Sequence, residues 1–199
     1  VNRSRISAET FQNSIGDGGN LRLSGDRLTV ENRGQITVSS TGEGVAGNLE
    51  INVPSITLEN RASLDAETTG GQGNIVINAE DLILRHQSDI TTNATGEATG
   101  GNITIDTENL VALENSDISA NAEDAFGGRI TINALGIFGT EFRDRETDRS
   151  DITATSELGP AFSGEVNLNT PDVDPSAGLV EFDDSIQDIS SLIDQNLCQ

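Results

Sequence analysis

Methionine, tryptophan, tyrosine and lysine are absent from these 199 residues, and cysteine and histidine occur once each, as Cys198 and His86. Internal disulfides, cysteine-rich zinc sites and Cys–His nucleophile pairs are therefore excluded within the chain. No apolar run is long enough to span a bilayer and no signal peptide is visible, so the chain is read as not membrane-spanning. All eleven basic residues are arginines, against thirty-three acids, for a net charge of −22. Nucleic-acid binding needs clustered Lys and Arg and does not fit this balance. With no Met and Val1 at its start, the sequence reads as a piece of a longer product.

What is present is a repeat. Gly-polar-apolar-x-apolar, usually closed by Asn or Asp, recurs as Gly19-Asn20-Leu21-Arg22-Leu23, Gly47-Asn48-Leu49-Glu50-Ile51-Asn52, Gly73-Asn74-Ile75-Val76-Ile77-Asn78 and Gly101-Asn102-Ile103-Thr104-Ile105-Asp106. Degenerate copies follow at Gly128–Asn133 and Gly164–Asn169, and the second residues lie 28, 26, 28, 27 and 36 positions apart. A second piece reads Leu28-Thr29-Val30, Ile56-Thr57-Leu58 and Leu82-Ile83-Leu84, with Val111-Ala112-Leu113 taken as displaced by one residue. A third reads Ile36-Thr37-Val38, Leu64-Asp65-Ala66, Ile90-Thr91-Thr92, Ile118-Ser119-Ala120 and Ile152-Thr153-Ala154. Ile6-Ser7-Ala8 matches it too, so the chain enters in mid-unit.

Short alternating segments are strands with one buried face. Three per unit at a period of about 26–28 residues predict an all-β fold, a right-handed parallel β-helix of about six coils. A barrel would instead require hairpin turns between neighbouring strands. The coils span residues 1–169, with a protruding insertion at about 139–150. Asn20, Asn48, Asn74 and Asn102 are expected to stack as a side-chain amide ladder, as are Asn32 and Asn60 (with Asn2) at the turn after the second strand. The Gly before each Asn is expected to supply a turn conformation closed to other residues. Arg33 and Arg61 (with Arg3) fall beside Glu31 and Glu59, an arrangement suited to a charge-neutralising ladder, and His86 takes an Asn position as a turn residue. Residues 170–199 are expected to cap the open end, through a short amphipathic helix carrying Ile186, Ile189 and Ile193.

The G-N-[IL]-x-[IL]-N units and turns such as Leu58-Glu59-Asn60-Arg61 resemble filamentous-haemagglutinin-type exoproteins, in particular the secreted S-layer-like or haemagglutinin-like β-helical proteins of cyanobacteria. Leu135–Arg143 followed by Ser150–Ala154, and Asn169–Val180, carry the most specific part of the resemblance, which covers essentially the whole chain. It implies two-partner secretion through an outer-membrane transporter, a secreted or cell-surface location, and an adhesive role towards surface glycans or other cells. This chain corresponds to the distal end of such a protein, without the secretion domain.

Candidate sites are few. Asp172, Asp174, Asp183 and Asp184 are oxygen donors of the kind calcium takes, although no EF-hand or calcium-roll spacing surrounds them, so weakly bound calcium is the one cofactor the pattern admits. A polysaccharide-cleaving β-helix needs converging carboxylates. The columns Arg22, Glu50, Val76, Thr104, Thr131, Asn167 and Thr37, Asp65, Thr91, Ser119, Thr153 hold no acid pair, so no catalytic residue is assigned. The Thr and Ser of the second column read as ordinary outward strand formers, too irregular for an ice-binding face. The leading expectation is a non-catalytic structural or adhesive segment of a surface exoprotein. A carbohydrate-active or carbohydrate-binding β-helix is the alternative, and a cation-binding surface-layer element the third.

Overall fold

A computed structural model describes residues 4–171. The expected capping segment beyond Pro171, with Asp172, Asp174, Asp183, Asp184, Ile186, Ile189, Ile193 and Cys198, lies outside the described residues, as do Asn2 and Arg3. The chain is a parallel β-helix of about five turns. One sheet is built from the third strands: β1 (Arg5–Ser7), β4 (Gln35–Thr37), β7 (Ser63–Asp65), β10 (Asp89–Thr91), β12 (Ile118–Ser119) and β15 (Ser150–Thr153), stacked in that order. The first strands, β2 (Leu21–Ser24), β5 (Asn48–Asn52) and β8 (Asn74–Asn78), and the second strands, β3 (Arg27–Glu31), β6 (Ser55–Glu59) and β9 (Asp81–Arg85), form the other. They meet in β11 (Asn102–Ala112) and β13 (Arg129–Phe138), each of which is a first and second strand fused into one, and β16 (Glu165–Asn169) pairs with β13.

Every recorded strand pair is parallel. The pairing matches the repeat residue for residue, for example Leu49 to Ile75 and Ile51 to Ile77, then Ile75 to Ile103. In-register stacking at roughly 4.8 Å makes continuous aliphatic columns. Leu49, Ile51, Ile56, Leu58, Leu64, Ile75, Ile77, Leu82, Leu84 and Ile90 are all at 0 % exposure. Each such side chain contributes about 1.5–3 kcal/mol relative to an exposed one. A narrow corner is filled by Val38, Ala66, Ala120 and Ala154, all buried.

The fourth coil corrects one alignment. Leu110 pairs with Leu82 and Ala112 with Leu84, so the second strand there is Leu110-Val111-Ala112 in normal register, and Leu113 is an exposed turn residue. The shift expected from the sequence came from matching Leu113 to an inward position that a small Ala fills.

The glycines preceding the Asn column have a different cause from the one expected. Gly19, Gly47, Gly73, Gly101, Gly128 and Gly164 have no left-handed backbone. Gly47, Gly101, Gly128 and Gly164 are places where one coil's backbone lies on the next, and Gly73 lies against Ala66 O of its own coil. A Cβ on Gly101 would come 2.0 Å from the carbonyl oxygen of Gly73, and one on Gly128 would come 1.9 Å from that of Gly101. The amides of all but Gly73 also close their own coils, as in Gly47 N–H to Val38 O (2.8 Å) and Gly101 N–H to Thr92 O (2.8 Å).

The insertion also departs from expectation. Thr140–Phe142 is a strand, β14, which pairs with β15 and ends the third-strand sheet, and the residues after it are tied back to the sheet. Arg143 bonds to Asp151 and to Ser150 O, Thr147 N–H donates to Asp151, and Asn121 Nδ2 donates to Glu146 (2.8 Å). Exclusion of a Cβ at the glycine edge gives a direct test. Gly101→Ala should lower stability by about 1–3 kcal/mol or more in thermal or urea unfolding. Gly25→Ala, where a Cβ meets nothing within 4 Å, should change it by less than about 0.5 kcal/mol.

Candidate functional site

Polar side chains in this fold are organised as ladders running along the axis. The one at the start of the first strand is a chain of amides: Asn48 Nδ2 donates to Asn20 Oδ1 (3.0 Å), Asn74 to Asn48 (2.7 Å) and Asn102 to Asn74 (2.8 Å). A second, at the end of the same strand, links Asn78 to Asn52 (2.8 Å), Asn133 to Asp106 (2.6 Å) and Asn169 to Asn133 (2.8 Å). A third is made of buried hydroxyls. Ser88 Oγ accepts from Ala62 N–H (3.1 Å), Ser116 Oγ from Ser88 N–H (3.1 Å) and Ser150 Oγ from Ser116 N–H (3.0 Å). The only sequence signals for the last two were the closing Asn or Asp and a recurrent Ser two residues before the inward Ile.

Asn32 and Asn60 behave otherwise. They sit at φ 56° and 57°, each followed by an Arg at φ 64° and 63°, and no bond between their side-chain amides is recorded. Their turns stack through the backbone instead, with Asn32 N–H to Glu59 O (3.1 Å) and Arg33 N–H to Asn60 O (2.9 Å). Asn serves here because it tolerates the left-handed region, which replaces the expected amide ladder. The charge-neutralising ladder with Glu31 and Glu59 is not formed either. Arg61 Nε donates to Gln87 Oε1 (2.8 Å), and Glu59 faces His86 Nδ1 at 3.4 Å. His86 lies at the turn with φ 53°, its other ring nitrogen 3.1 Å from Glu114.

The strongest concentration of titratable groups is on the outer face of the third-strand sheet. The column Thr37, Asp65, Thr91, Ser119, Thr153, expected as ordinary outward strand formers, is buried throughout. Polar neighbours bond to it: Ser39 to Thr37, Gln35 and Ser63 to Asp65, and Glu67 to Thr91. Beside it runs a column that the sequence search for acid pairs passed over, in which Asp89, Asp117 and Asp151 occupy equivalent positions one residue before the inward Ile. Asp89 Oδ1 accepts from Asp117 N–H (3.3 Å) and Asp117 Oδ1 from Asp151 N–H (2.8 Å). Asp151 is fully buried and held by Arg143 and Thr147. Asp65 accepts from Gln35 Nε2 (2.5 Å) and Ser63 Oγ (2.8 Å).

Burial dominates the electrostatics. It pushes the Asp89 carboxyl up to about 7, opposed by the bond from Asp117 N–H and reinforced by the charges of Asp117, Asp65 and Glu146. Asp117 is raised to about 6 by burial first, again partly offset by its backbone bond and reinforced by Asp151 and Glu146. Asp65 is also raised, by burial, against its two side-chain bonds. A groove of about 410 Å³ lies between this sheet and the insertion, lined by Glu67, Asn93, Asn121, Glu123, Arg145 and Glu146 among others. Asp89 and Asp117 do not line it. Among the described residues, no group of three or more His, Cys, Asp or Glu is arranged to hold a metal ion.

The first-strand column, Arg22, Glu50, Val76, Thr104, Thr131, Asn167, stacks in register and contains one ion pair, Arg22 to Glu50 at 2.6 Å, on the exposed surface. The arrangement as a whole ties polar side chains to the backbone of the neighbouring coil. No family model, no curated protein and no solved structure matches the chain.

The aspartate column makes stability depend on pH with a definite sign. Asp89 and Asp117 bind protons more tightly folded than unfolded, so their contribution is greatest below the ordinary carboxylate range near 3.8 and is lost as pH rises through 6 to 7. Asp89→Asn keeps the acceptor for Asp117 N–H and removes the charge. It should raise Tm by about 2–4 °C at pH 8 and leave it unchanged near pH 4 in calorimetry. An unchanged or lower Tm at pH 8 would contradict the assignment.

Proposed function

We propose that the chain is a non-catalytic segment of a secreted, cell-surface exoprotein of the filamentous-haemagglutinin type, forming part of a stiff rod that holds adhesive surfaces away from the cell. The observation that carries this reading is the continuity of the stack. Backbone pairing and aliphatic columns run through successive coils without a break, polar ladders link several of them, and the polar groups of the most acidic face bond to neighbouring backbone amides. Such a body resists bending and shear along its whole length, because each coil is bonded to the next through its strands. The net charge of −22 keeps a long exposed surface soluble. In the longer protein, an outer-membrane transporter of the two-partner type is the partner for export, and surface glycans or other cells are the targets.

One observation favours the carbohydrate-active alternative. Asp89 and Asp117 are carboxyls on adjacent coils, raised to about 7 and about 6, and paired carboxyls are what glycoside hydrolysis requires. Against it, each binds the next coil's amide through one oxygen and neither lines the neighbouring groove. The cation-binding alternative rests on Asp172, Asp174, Asp183 and Asp184, outside the described residues.

The test is a paired assay on one preparation. Beads coated with the chain should be retained on cell-surface material, while a panel of plant, algal and bacterial polysaccharides incubated with it should release no new reducing ends. Turnover abolished by Asp89→Asn or Asp117→Asn would replace the structural reading with the enzymatic one. A calcium-dependent rise in Tm of several degrees would favour the cation-binding reading.

A further inference from the structure

The turn after the second strand shapes a groove of about 860 Å³ along the side of the rod. In each of four coils this turn holds two consecutive residues in the left-handed region: Asn32-Arg33, Asn60-Arg61, His86-Gln87 and Glu114-Asn115. Asn is at ease there, but a long unbranched side chain is not, and Arg occupies the second position in two adjacent coils. Arg33 and Arg61 are therefore locally unfavourable in two ways. Each adopts a backbone conformation that Asn or Gly would take more easily. Their like charges also emerge from turns one coil apart, roughly 4.8 Å.

Among the described residues Arg5, Arg22, Arg85, Arg129 and Arg143 each pair with a carboxylate, whereas Arg33 and Arg61, like Arg27, Arg145 and Arg149, form no ion pair, and Arg61 makes its one side-chain bond to the amide of Gln87. Arg33 and Arg61 differ from Arg27, Arg145 and Arg149 in standing at equivalent turns of adjacent coils, which places two positive charges without an acid partner in one groove. The flanking groups are amides: Asn32 and Asn60 below, Gln87 above, with Glu114 closing the far end where it is held by Arg85 (2.7 Å) and His86 (3.1 Å).

We infer that this groove binds an acidic polysaccharide laid along the rod axis, with uronate carboxylates on Arg33 and Arg61 and sugar hydroxyls on the amides of Asn32, Asn60 and Gln87. The planar guanidinium fork takes a carboxylate through two parallel N–H bonds, which a point charge does not. The coil spacing is comparable to the length of one pyranose residue, so successive coils meet successive sugars of an extended chain. Glu114 repels a carboxylate and so sets the limit of the site. With no aromatic platform in the groove, recognition is by charge and hydrogen bonding and weakens with salt. The inference deepens the adhesive reading and rests on it only for the polymer's presence outside the cell.

The probe is polygalacturonate, titrated at low ionic strength against the native chain, with dextran and single-stranded DNA as comparison polymers. Arg33→Asn/Arg61→Asn removes both charges and eases the turns. It should weaken binding about ten-fold or more, corresponding to about 1.4 kcal/mol, while Tm stays level or rises. Arg22→Gln/Arg129→Gln removes the same charge elsewhere and should change binding less than about two-fold. The inference is overturned if the native chain does not bind polygalacturonate, if the two double variants lose binding equally, or if dextran or DNA binds as well. Beads that still adhere to cell material without binding polygalacturonate would refute this site and leave the adhesive reading standing. Binding that requires Arg33 and Arg61 but retains no beads would do the reverse.

Discussion

Everything in this structure depends on one spacing, the roughly 4.8 Å at which one coil's backbone pairs with the next. A parallel strand cannot be satisfied by its own coil, so each residue's hydrogen bonds go to equivalent residues about 26–28 positions away. That requirement dictates residue choice at every corner. Where backbone meets backbone at the edge before the first strand, even a methyl group is excluded, and glycine recurs. Where the chain turns through the left-handed region after the second strand, Asn recurs at the first position of the early coils. Where an amide at the entry to the third strand would be left unpaired inside the protein, a Ser hydroxyl from the next coil accepts it.

The same spacing governs the charges. Repetition stacks like on like, so an acid that recurs once per coil becomes a column of carboxylates. Asp89, Asp117 and Asp151 show how such a column is tolerated: one oxygen of Asp89 and of Asp117 takes the next amide, Asp151 is bound by Arg143, and burial leaves the first two easily protonated. On the exposed first-strand face, Arg22 above Glu50 and Arg129 above Glu165 solve the problem by alternation. Exposed pairs of this kind add little to stability, and their value lies in avoiding repulsion along the rod. Arg33 and Arg61 follow neither solution, and they stand at equivalent turns of adjacent coils.

The fold was legible because its signal is redundant. Four Gly-Asn copies, two degenerate ones and a recurrent apolar alternation specify the strands and their register, except at Leu110 and Ala112, where a small inward residue displaced the alignment by one. Less legible was anything decided by what covers a surface. Thr37, Asp65, Thr91, Ser119 and Thr153 alternate like outward residues, and they are outward, yet they are buried, with polar neighbours such as Gln35, Ser39, Ser63 and Glu67 bonded to them. The Asp89, Asp117, Asp151 column escaped a search of the two neighbouring columns since it starts one residue earlier, at the sheet's edge. Gly and Asn were recognised as special, but composition cannot distinguish a glycine needed for its φ from one needed for its missing Cβ.

If inter-coil pairing is the governing interaction, coils are interchangeable units, and removing one whole coil is the most direct test. Deleting the twenty-eight residues Asn74–Gly101 joins Gly73 to Asn102 and places Asn102 over Asn48, Ile103 over Leu49 and Ser116 over Ala62, so every column closes again. The shortened chain should fold to a monomer with a native-like β spectrum and unfold in one cooperative step, with an m-value reduced in proportion to its length. Deleting only the fourteen residues Asn74–Gln87 should abolish folding. Failure of the whole-coil deletion to fold, or equal tolerance of both deletions, would contradict the account.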